Sequence, residues 1–243
     1  MSVAADPSAV PAPPDPVDPL DHVDVWVFDL DNTLYPADSN LFDQVHQRMG
    51  RFIVERLGLA WDEARALQKR YFHEHGTTLR GLMTVNRVDP DDYLSFVHDI
   101  DVTPVPPSPG LDRSLARLAG RKIVFTNGSV GHATRVLDRL GVTHHFEAIE
   151  DIVSAGFVPK PNPDPYDGLV DRNGFDPARA VMVEDMAVNL GPAHALGMTT
   201  VWVRTPHTFS HPPHPAPHVH HRIDKVEPWL DAVVAAREGR TTR

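Results

Sequence analysis

The sequence predicts an α/β fold: a Rossmann-like parallel sheet with helices on both faces, and a small helical domain inserted after the first strand. From residue 105 onward, short apolar runs rich in β-branched residues alternate with segments of helical periodicity. Between the first apolar run and residue 105, the apolar residues instead follow helical spacing. Strands that alternate with helices form parallel sheets covered on both faces, so the helical block interrupts one α/β domain.

The first predicted strand, residues 23–28, ends in two acids. Its residues are mostly β-branched or aromatic, and Asp29 and Asp31 follow it directly with Leu30 between them. Ligands of open α/β sheets bind at the carboxyl ends of the strands. Two carboxylates can converge on one small site there, which suits a magnesium ion and a phosphoryl group. Alone, such a pair of acids is as often a solvated turn.

The inserted block, residues 37–104, is predicted to be a small helical bundle. Apolar residues at steps of three and four indicate its helices, and Gly58 stops the first of them. A stiff, proline-rich linker at residues 102–110 closes the block. The predicted helices span residues 41–57, 61–75, 79–85 and 91–97.

The core domain is predicted to comprise residues 23–36 and 105–235. Apolar runs after residue 105 predict its further strands, and amphipathic segments between them predict its helices. The predicted strands lie near residues 123–125, 148–153, 181–183 and 199–203, and the predicted helices near 111–118, 133–140, 165–172 and 190–196.

The chain ends and the composition exclude several classes of protein. Residues 1–22 are rich in Pro, Ala and Asp without the basic start and apolar stretch of a signal peptide, so we expect a disordered leader. Residues 237–243 are expected to fray. The net charge of -10 argues against a nucleic-acid polymer as partner. The absence of cysteine is compatible with a reducing cytoplasm, and no apolar stretch approaches the ~20 residues that span a bilayer.

Three further motifs follow, mostly at the ends of strand-like runs. Thr126 and Asn127 end the run that begins at residue 123, and Glu184 and Asp185 end the run that begins at residue 181. Between them lies Lys160, in a loop stiffened by a proline on either side. Each motif alone is weak, since Thr-Asn-Gly is a common turn and a lone lysine is usually solvated. Their order after the first two acids makes the set specific.

This ordered set of four motifs resembles the haloacid dehalogenase-like hydrolase superfamily over most of residues 23–204. The resemblance implies that Asp29 is a nucleophile that forms an aspartyl-phosphate, and that Asp31 is the general acid and then the general base. It further implies that the Thr126 hydroxyl and backbone N–H, with the Asn127 N–H, bind the transferring phosphoryl group. Lys160 would neutralise charge on the nucleophile and on that group.

The resemblance also implies a magnesium ion as cofactor. Asp29, Asp185 and the backbone carbonyl of Asp31 would hold the ion, and Glu184 would reach it through water. Hard oxygen ligands with some waters retained are what magnesium prefers. The inserted helices would form a cap over the site. Segments 28–36, 75–82 and 127–140 look like the pyrimidine 5′-nucleotidase branch, whose substrates are nucleoside monophosphates such as UMP and CMP.

If the chain resembles that branch in function, two of its residues have alternative roles. Arg80 would pair with a base carbonyl or phosphate, or else form a structural ion pair inside the cap. His132 packs at or caps a helix start, or contacts substrate. After the last acid pair the branch usually has serine, and this chain has Met186, which leaves the ligands untouched. The partner is therefore expected to be a small phosphate monoester, and the protein a monomer or homodimer.

Two alternatives stay open at this point. The same machinery would serve a phosphatase or phosphomutase for a sugar phosphate or phosphoglycolate, whereas a dehalogenase would not need the acid Asp31. An alternative of another class is a non-catalytic metal-binding protein that uses the His- and Pro-rich segment 207–221. The proline spacing in that segment gives no regular ligand cage, which favours a loop lying over the core. The following residues, 222–230, resemble the closing strand and helix of the superfamily.

Overall fold

The computed structural model describes residues 20–207, 210–212 and 216–241. In these residues six strands form one sheet in which each neighbouring pair is parallel. The strands are β1 (Val25–Phe28), β2 (Arg121–Phe125), β3 (Ala148–Glu150), β4 (Ala180–Glu184), β5 (Thr199–Val203) and β6 (His221–Ile223). Their order is β3-β2-β1-β4-β5-β6, and the predicted α/β class is confirmed.

The helices lie close to the predicted ranges. The first ends at Gly58, whose φ of 67° is left-handed and whose N–H donates to the Val54 carbonyl at 3.0 Å. The helices are α1 (Leu41–Leu57), α2 (Trp61–His75), α3 (Thr78–Asn86), α4 (Pro90–Val97), α5 (Pro109–Arg117), α6 (Val130–Leu140), α7 (Pro163–Asn173), α8 (Leu190–Ala195) and α9 (Val226–Thr241). In the described residues none of them is both long and apolar enough to cross a membrane.

Alternate residues of β1 face two different hydrophobic clusters. Trp26 and Phe28 pack in a cluster with the apolar faces of α5, α6 and α9. Val25 and Val27 pack in a second cluster with α7 and α8. This alternation follows from the two-residue period of a strand, and it places helices on both faces of the sheet.

Helices α1 to α4 surround a separate hydrophobic cluster. The rings of Phe52 of α1 and Tyr93 of α4 pack edge to face with their centroids 5.1 Å apart, and Leu82 of α3 is completely buried. The cluster also includes Ile152 from the loop after β3, and Phe157 packs against it. The inserted helices therefore have their own core, which also packs against the loop after β3 of the α/β domain.

The strands that follow β1 in the chain are added to the sheet first on one side of β1 and then on the other. Strands β2 and β3 extend the sheet to one side of β1, and β4 then pairs with the other side, with Phe28 opposite Val183. The Asp29 N–H continues this ladder by donating to the Val183 carbonyl at 2.9 Å. Such a switch point opens a crevice at the carboxyl ends of the strands. The predicted acids after β1 and after β4 border this crevice.

The ends of the chain depart from the predictions. Fraying of residues 237–243 was wrong for 237–241, because α9 reaches Thr241 and Arg237 lies over the Trp26 ring at 5.0 Å. Residues 242 and 243 are outside the described range, as are residues 1–19 of the predicted leader. Leu20 is 1% exposed, so the packed core includes residues before the predicted start at residue 23.

Two other segments differ in detail or are partly described. Strand β3 ends at Glu150, three residues before its predicted end, because the Asp151 carboxylate accepts hydrogen bonds from the N–H groups of Val130 and Ser154 and turns the chain. In the described residues of segment 207–221, the Thr200 hydroxyl donates to the His218 carbonyl at 2.8 Å. That segment thus contacts β5, and its His214 is outside the described residues.

Candidate active site

Asp29, Lys160 and Glu184 form a buried charged cluster at the carboxyl ends of β1 and β4. The Lys160 Nζ donates to Asp29 Oδ1 at 2.8 Å and to Glu184 Oε2 at 2.7 Å. No side chain of the three is more than 8% exposed. Burial lowers the pKa of Lys160, but the two carboxylates outweigh this effect and raise it, so the ammonium stays charged.

The position of Lys160 is set by Phe125, the last residue of β2, and by Asn127 in the turn that follows it. Its ammonium also donates to the carbonyl of Phe125, the last residue of β2, at 2.8 Å. The side chain of Asn127 accepts from the Lys160 N–H at 2.9 Å and donates to the Lys160 carbonyl at 3.3 Å. Asn127 therefore holds the lysine loop with its amide, a function that the sequence did not predict.

The acids of this region fit a divalent cation. Carboxylate oxygens of Asp29, Glu184 and Asp185 all lie within 4.8 Å of one another. Burial, followed by repulsion from Glu184, raises the pKa of Asp29 to about 7 against the opposing effect of Lys160. The same two causes raise the pKa of Asp185 well above its usual range. The single ammonium group of Lys160 thus does not balance the negative charge of the three buried carboxylates. A donor set made of oxygens alone suits magnesium.

Both carboxylate oxygens of Glu184 already have partners in the protein. Oε2 accepts from Lys160, and Oε1 accepts from the Met186 N–H at 3.0 Å. Glu184 therefore ties the lysine to the turn that carries Asp185. Its water-mediated contact with an ion stays a prediction.

Asp31 is held through one of its two oxygens. Tyr35 donates its hydroxyl to Oδ1 at 2.5 Å, and His132 Nε2 lies 2.8 Å from the same oxygen. The His132 side chain is fully buried, while that of Asp31 is 15% exposed. Burial raises the pKa of Asp31, but His132 and Tyr35 outweigh it and bring the pKa below its ordinary value.

The oxygen Oδ2 of Asp31 faces the same small space as Thr126. A Cβ placed on Gly128 would lie 3.3 Å from the Thr126 hydroxyl oxygen and 3.8 Å from Asp31 Oδ2. The Gly128 N–H donates to that hydroxyl oxygen at 2.9 Å, which leaves the hydroxyl hydrogen of Thr126 to donate elsewhere. The glycine thus keeps a space between the Asp31 carboxyl group and the Thr126 hydroxyl.

The predicted use of the Thr126 backbone N–H is wrong. This N–H donates to the Glu150 carbonyl at 2.9 Å, because Thr126 continues the ladder between β2 and β3. A backbone donor bonded within the sheet is not available to a phosphoryl group. Of the two predicted donors of Thr126, only the hydroxyl stays a candidate donor to the phosphoryl group.

Arg80 lies at a cavity between the inserted helices and the lysine loop. The cavity has a volume of about 360 Å³, and its walls include Pro159 and Asn162 on either side of Lys160. The Arg80 guanidinium donates to the Phe157 carbonyl at 3.4 Å, so its hydrogen bond crosses to the core instead of staying inside the inserted block. The structure does not place Arg80 in the cluster of Asp29 and Lys160.

A second cavity, of about 580 Å³, lies between α4 and the start of α6. Its walls include His98, His132 and Arg135. His132 therefore lies between this cavity and Asp31. It both lines the space and contacts the acid, whereas the sequence predicted only a helix-capping, packing or substrate-contacting histidine.

Sequence reasoning missed Tyr35 and His98 as members of the site. Tyr35 carried a signal, since it stands four residues after Asp31 in a turn and can return to it. His98 carried none, because it follows a helix of the inserted block and meets His132 only in the folded chain.

Comparison with known proteins agrees with this geometry. A family model for haloacid dehalogenase-like hydrolases matches residues 23–197, and the chain belongs to that family. The chain is 28% identical over 192 residues to phosphate metabolism protein 8 of Saccharomyces cerevisiae, covering 72% of this chain and 59% of the yeast protein. It therefore spans less than two thirds of that relative.

Two further comparisons extend the range of related activities. A phosphoglycolate phosphatase of Mesorhizobium japonicum is 27% identical over 205 residues, covering 76% of this chain and 84% of the relative. The solved L-2-haloacid dehalogenase of Xanthobacter autotrophicus has a TM-score of 0.56 at 17% identity, covering 89% of this chain and 99% of that one. The latter likeness concerns the fold alone.

Proposed function

We propose that this protein is a magnesium-dependent phosphatase that hydrolyses phosphate monoesters through an aspartyl-phosphate on Asp29. The observation that carries the proposal is the arrangement of Asp31. Tyr35 and His132 both hold its Oδ1, while its Oδ2 faces the space beside the Thr126 hydroxyl. A reaction that expels an alcohol needs a proton donor at such a place, and the negative charge of a bound phosphate monoester would favour the protonated form of Asp31 that His132 and Tyr35 by themselves disfavour.

In the first step, an oxygen of Asp29 attacks phosphorus, and the bond between phosphorus and the ester oxygen breaks. The electron pair of that bond stays on the leaving oxygen, which takes a proton from Asp31. The Lys160 ammonium and the Thr126 hydroxyl donate to the negative charge of the transferring group. The burial of the cluster strengthens these interactions, because few water molecules compete with them.

In the second step, water attacks the phosphorus of the aspartyl-phosphate. Asp31, now ionised, removes a proton from the water, and the Asp29 carboxylate leaves as the phosphorus–oxygen bond to it breaks. The same acid thus serves both steps with opposite proton transfers. Phosphate and the free alcohol are the products.

Asp29, Asp185 and the Asp31 carbonyl would hold magnesium, with Glu184 in contact through water. When bound, the ion supplies positive charge that offsets repulsion between the anionic nucleophile and the anionic substrate. The raised pKa of Asp29 supports this, because a carboxyl group that is partly protonated at neutral pH is a poor nucleophile until a cation stabilises its charge.

Dehalogenation is disfavoured for this chain although a dehalogenase shares its fold. A halide leaves without a proton, so an acid held by a tyrosine and a buried histidine would have no use there. The similarity to a phosphoglycolate phosphatase supports phosphoryl transfer.

For the substrate we infer a pyrimidine nucleoside 5′-monophosphate of the UMP or CMP type. The support comes from the sequence resemblance of segments 28–36, 75–82 and 127–140, and from the cavity beside Arg80 next to the lysine loop. Helices α1 to α4 would act as the cap that selects this substrate. A second candidate is a sugar phosphate or phosphoglycolate, favoured by the relative that is named for the latter compound.

The test is phosphate release from UMP, CMP, dUMP, AMP, GMP, phosphoglycolate and hexose phosphates, with magnesium and with EDTA. Preference for UMP and CMP over purines, lost in EDTA, would support both reaction and substrate. Activity on the sugar phosphates or phosphoglycolate alone would keep the reaction and reject the nucleotide. No release from any compound would favour the non-catalytic, metal-binding alternative.

A further inference from the structure

A second group of metal-ligating side chains lies away from the carboxylate cluster. Asp112, in the first turn of α5, is 2.8 Å from His145 Nε2 and 3.3 Å from His144 Nε2, both measured to its Oδ1. The centroids of the two imidazole rings are 4.0 Å apart, with the ring planes inclined by 42°. The two histidines end a short 3₁₀ turn, Thr143–His145, which follows α6 and precedes β3.

The spacing of these three ligand atoms fits a transition-metal ion. All three lie within 4.8 Å of one another. In a tetrahedral zinc site with zinc–nitrogen and zinc–oxygen distances of ~2.0–2.1 Å, neighbouring ligand atoms are about 3.3 Å apart. The distance from His144 to Asp112 has this value. The distance from His145 to Asp112 would lengthen by a few tenths of an ångström.

The exposure of the three side chains leaves room for an ion and its water. The His145 side chain is 11% exposed, that of Asp112 is 40% exposed and that of His144 is 66% exposed. One ligand is thus anchored in the protein, and the other two border solvent. An entering ion would keep at least one coordination position for water.

We propose that Asp112, His144 and His145 form a second cation site, selective for a borderline divalent ion such as Zn²⁺ over Mg²⁺. Two neutral imidazole nitrogens and one carboxylate suit zinc, whereas magnesium prefers oxygen ligands in an octahedral arrangement. The cluster of Asp29, Glu184 and Asp185 has oxygen ligands alone. The described residues therefore contain two groups of opposite metal preference.

Bound zinc would fasten two segments that meet at this point. The Ser108 N–H, just before α5, already donates to the Leu140 carbonyl at the end of α6 at 3.0 Å. An ion shared by Asp112 and the two histidines would join the same two segments through side chains. Because α5 is the first helix after the inserted block, the ion would stabilise the start of the returning chain.

The test is zinc binding to the full chain in the presence of millimolar magnesium, which occupies the carboxylate cluster. Calorimetry compares the wild type with His144→Ala and Asp112→Ala. His73→Ala, which alters an exposed histidine of α2, is the matched control. The histidines of segment 207–221 are present in every protein, so their contribution cancels in the comparison.

The expected result is that the wild type and His73→Ala bind one more zinc ion at micromolar concentration than the two site variants do. Zinc should also raise the thermal midpoint of the wild type by about 5 °C more than that of the site variants. Circular dichroism spectra and thermal midpoints without zinc that match those of the wild type show that each variant is folded. Equal zinc stoichiometry and equal thermal shifts in all four proteins would overturn the proposal.

Discussion

His98, which directly follows α4, stacks on His132 near the start of α6, with ring centroids 4.5 Å apart and planes inclined by 11°. His132 in turn contacts Asp31, so the stack connects the inserted helices to the proposed general acid. Burial, followed by the proximity of His132, lowers the pKa of His98 to about 3, which keeps the His98 imidazole neutral. The Ser129 hydroxyl lies 2.9 Å from His98 Nδ1 and fixes that ring from the other side.

This stack makes His98 a testable positioning residue. In His98→Ala, His132 loses the surface that holds its ring, and we expect kcat to fall about 3- to 10-fold with little change in KM. His98→Phe keeps a flat ring at the same place and should recover most of the loss. Steady-state kinetics of both variants check this. If phenylalanine is as damaging as alanine, stacking is not the function of His98.

Replacement of the nucleophile should abolish turnover. Asp29→Asn keeps the shape of the side chain but cannot form an acyl phosphate, so phosphate release should fall by about 10⁴-fold or more. The matched control is Asp43→Asn, an exposed acid of α1 that should keep full activity. Near-normal activity of a folded Asp29→Asn protein would eliminate Asp29 as the nucleophile.

The effect of replacing Asp31 should depend on the leaving group. Asp31→Asn cannot donate a proton, so hydrolysis of alkyl phosphates should fall about 10²- to 10⁴-fold. A nitrophenyl phosphate expels a phenolate that needs no protonation, and single-turnover formation of its aryl product should fall much less. Rapid-mixing kinetics with both substrates measure the ratio. Equal losses for both leaving groups would show that Asp31 is not the general acid.

Magnesium should alter the pH dependence of stability. In the metal-free protein the pKa of Asp29 is raised to about 7, whereas in the unfolded chain it lies near ~3.9. The folded state therefore binds more protons between these values, and this contribution to stability is lost as the pH rises towards 7. The raised pKa of Asp185 acts in the same direction. A bound cation takes the place of those protons.

We therefore expect the thermal midpoint in magnesium to exceed that in EDTA by an amount that grows from about pH 5 to about pH 8. The quantity to measure is the difference between the midpoints in magnesium and in EDTA at each pH. His98 is buried in its neutral form, so it makes the protein more stable as the pH rises to about 6.5, and it does so equally in both conditions. A difference that is constant or that shrinks with pH would show that the carboxylates do not hold the ion.

Much of the fold could be predicted because its signals are local. The helix from Leu41 to Leu57 followed from apolar spacing and from Gly58, and the structure has the same bounds. The parallel sheet followed from the alternation of strands and helices, a pattern that excludes most other arrangements. The error at residues 237–241 arose because the ends of a helix depend on tertiary contacts, here that of Arg237 with Trp26.

The sequence by itself determined the order of the strands and helices along the chain and indicated Asp29, Asp31, Lys160 and Asp185 as candidate site residues, because spacing and residue type are local properties. Only the tertiary structure decided the partners of these groups. It assigned His132 and Tyr35 to one oxygen of Asp31, the Asn127 amide to the lysine loop, and the Thr126 N–H to the sheet. A buried polar group must find its hydrogen-bond partner among the atoms that the fold brings near, and these come from distant positions in the chain.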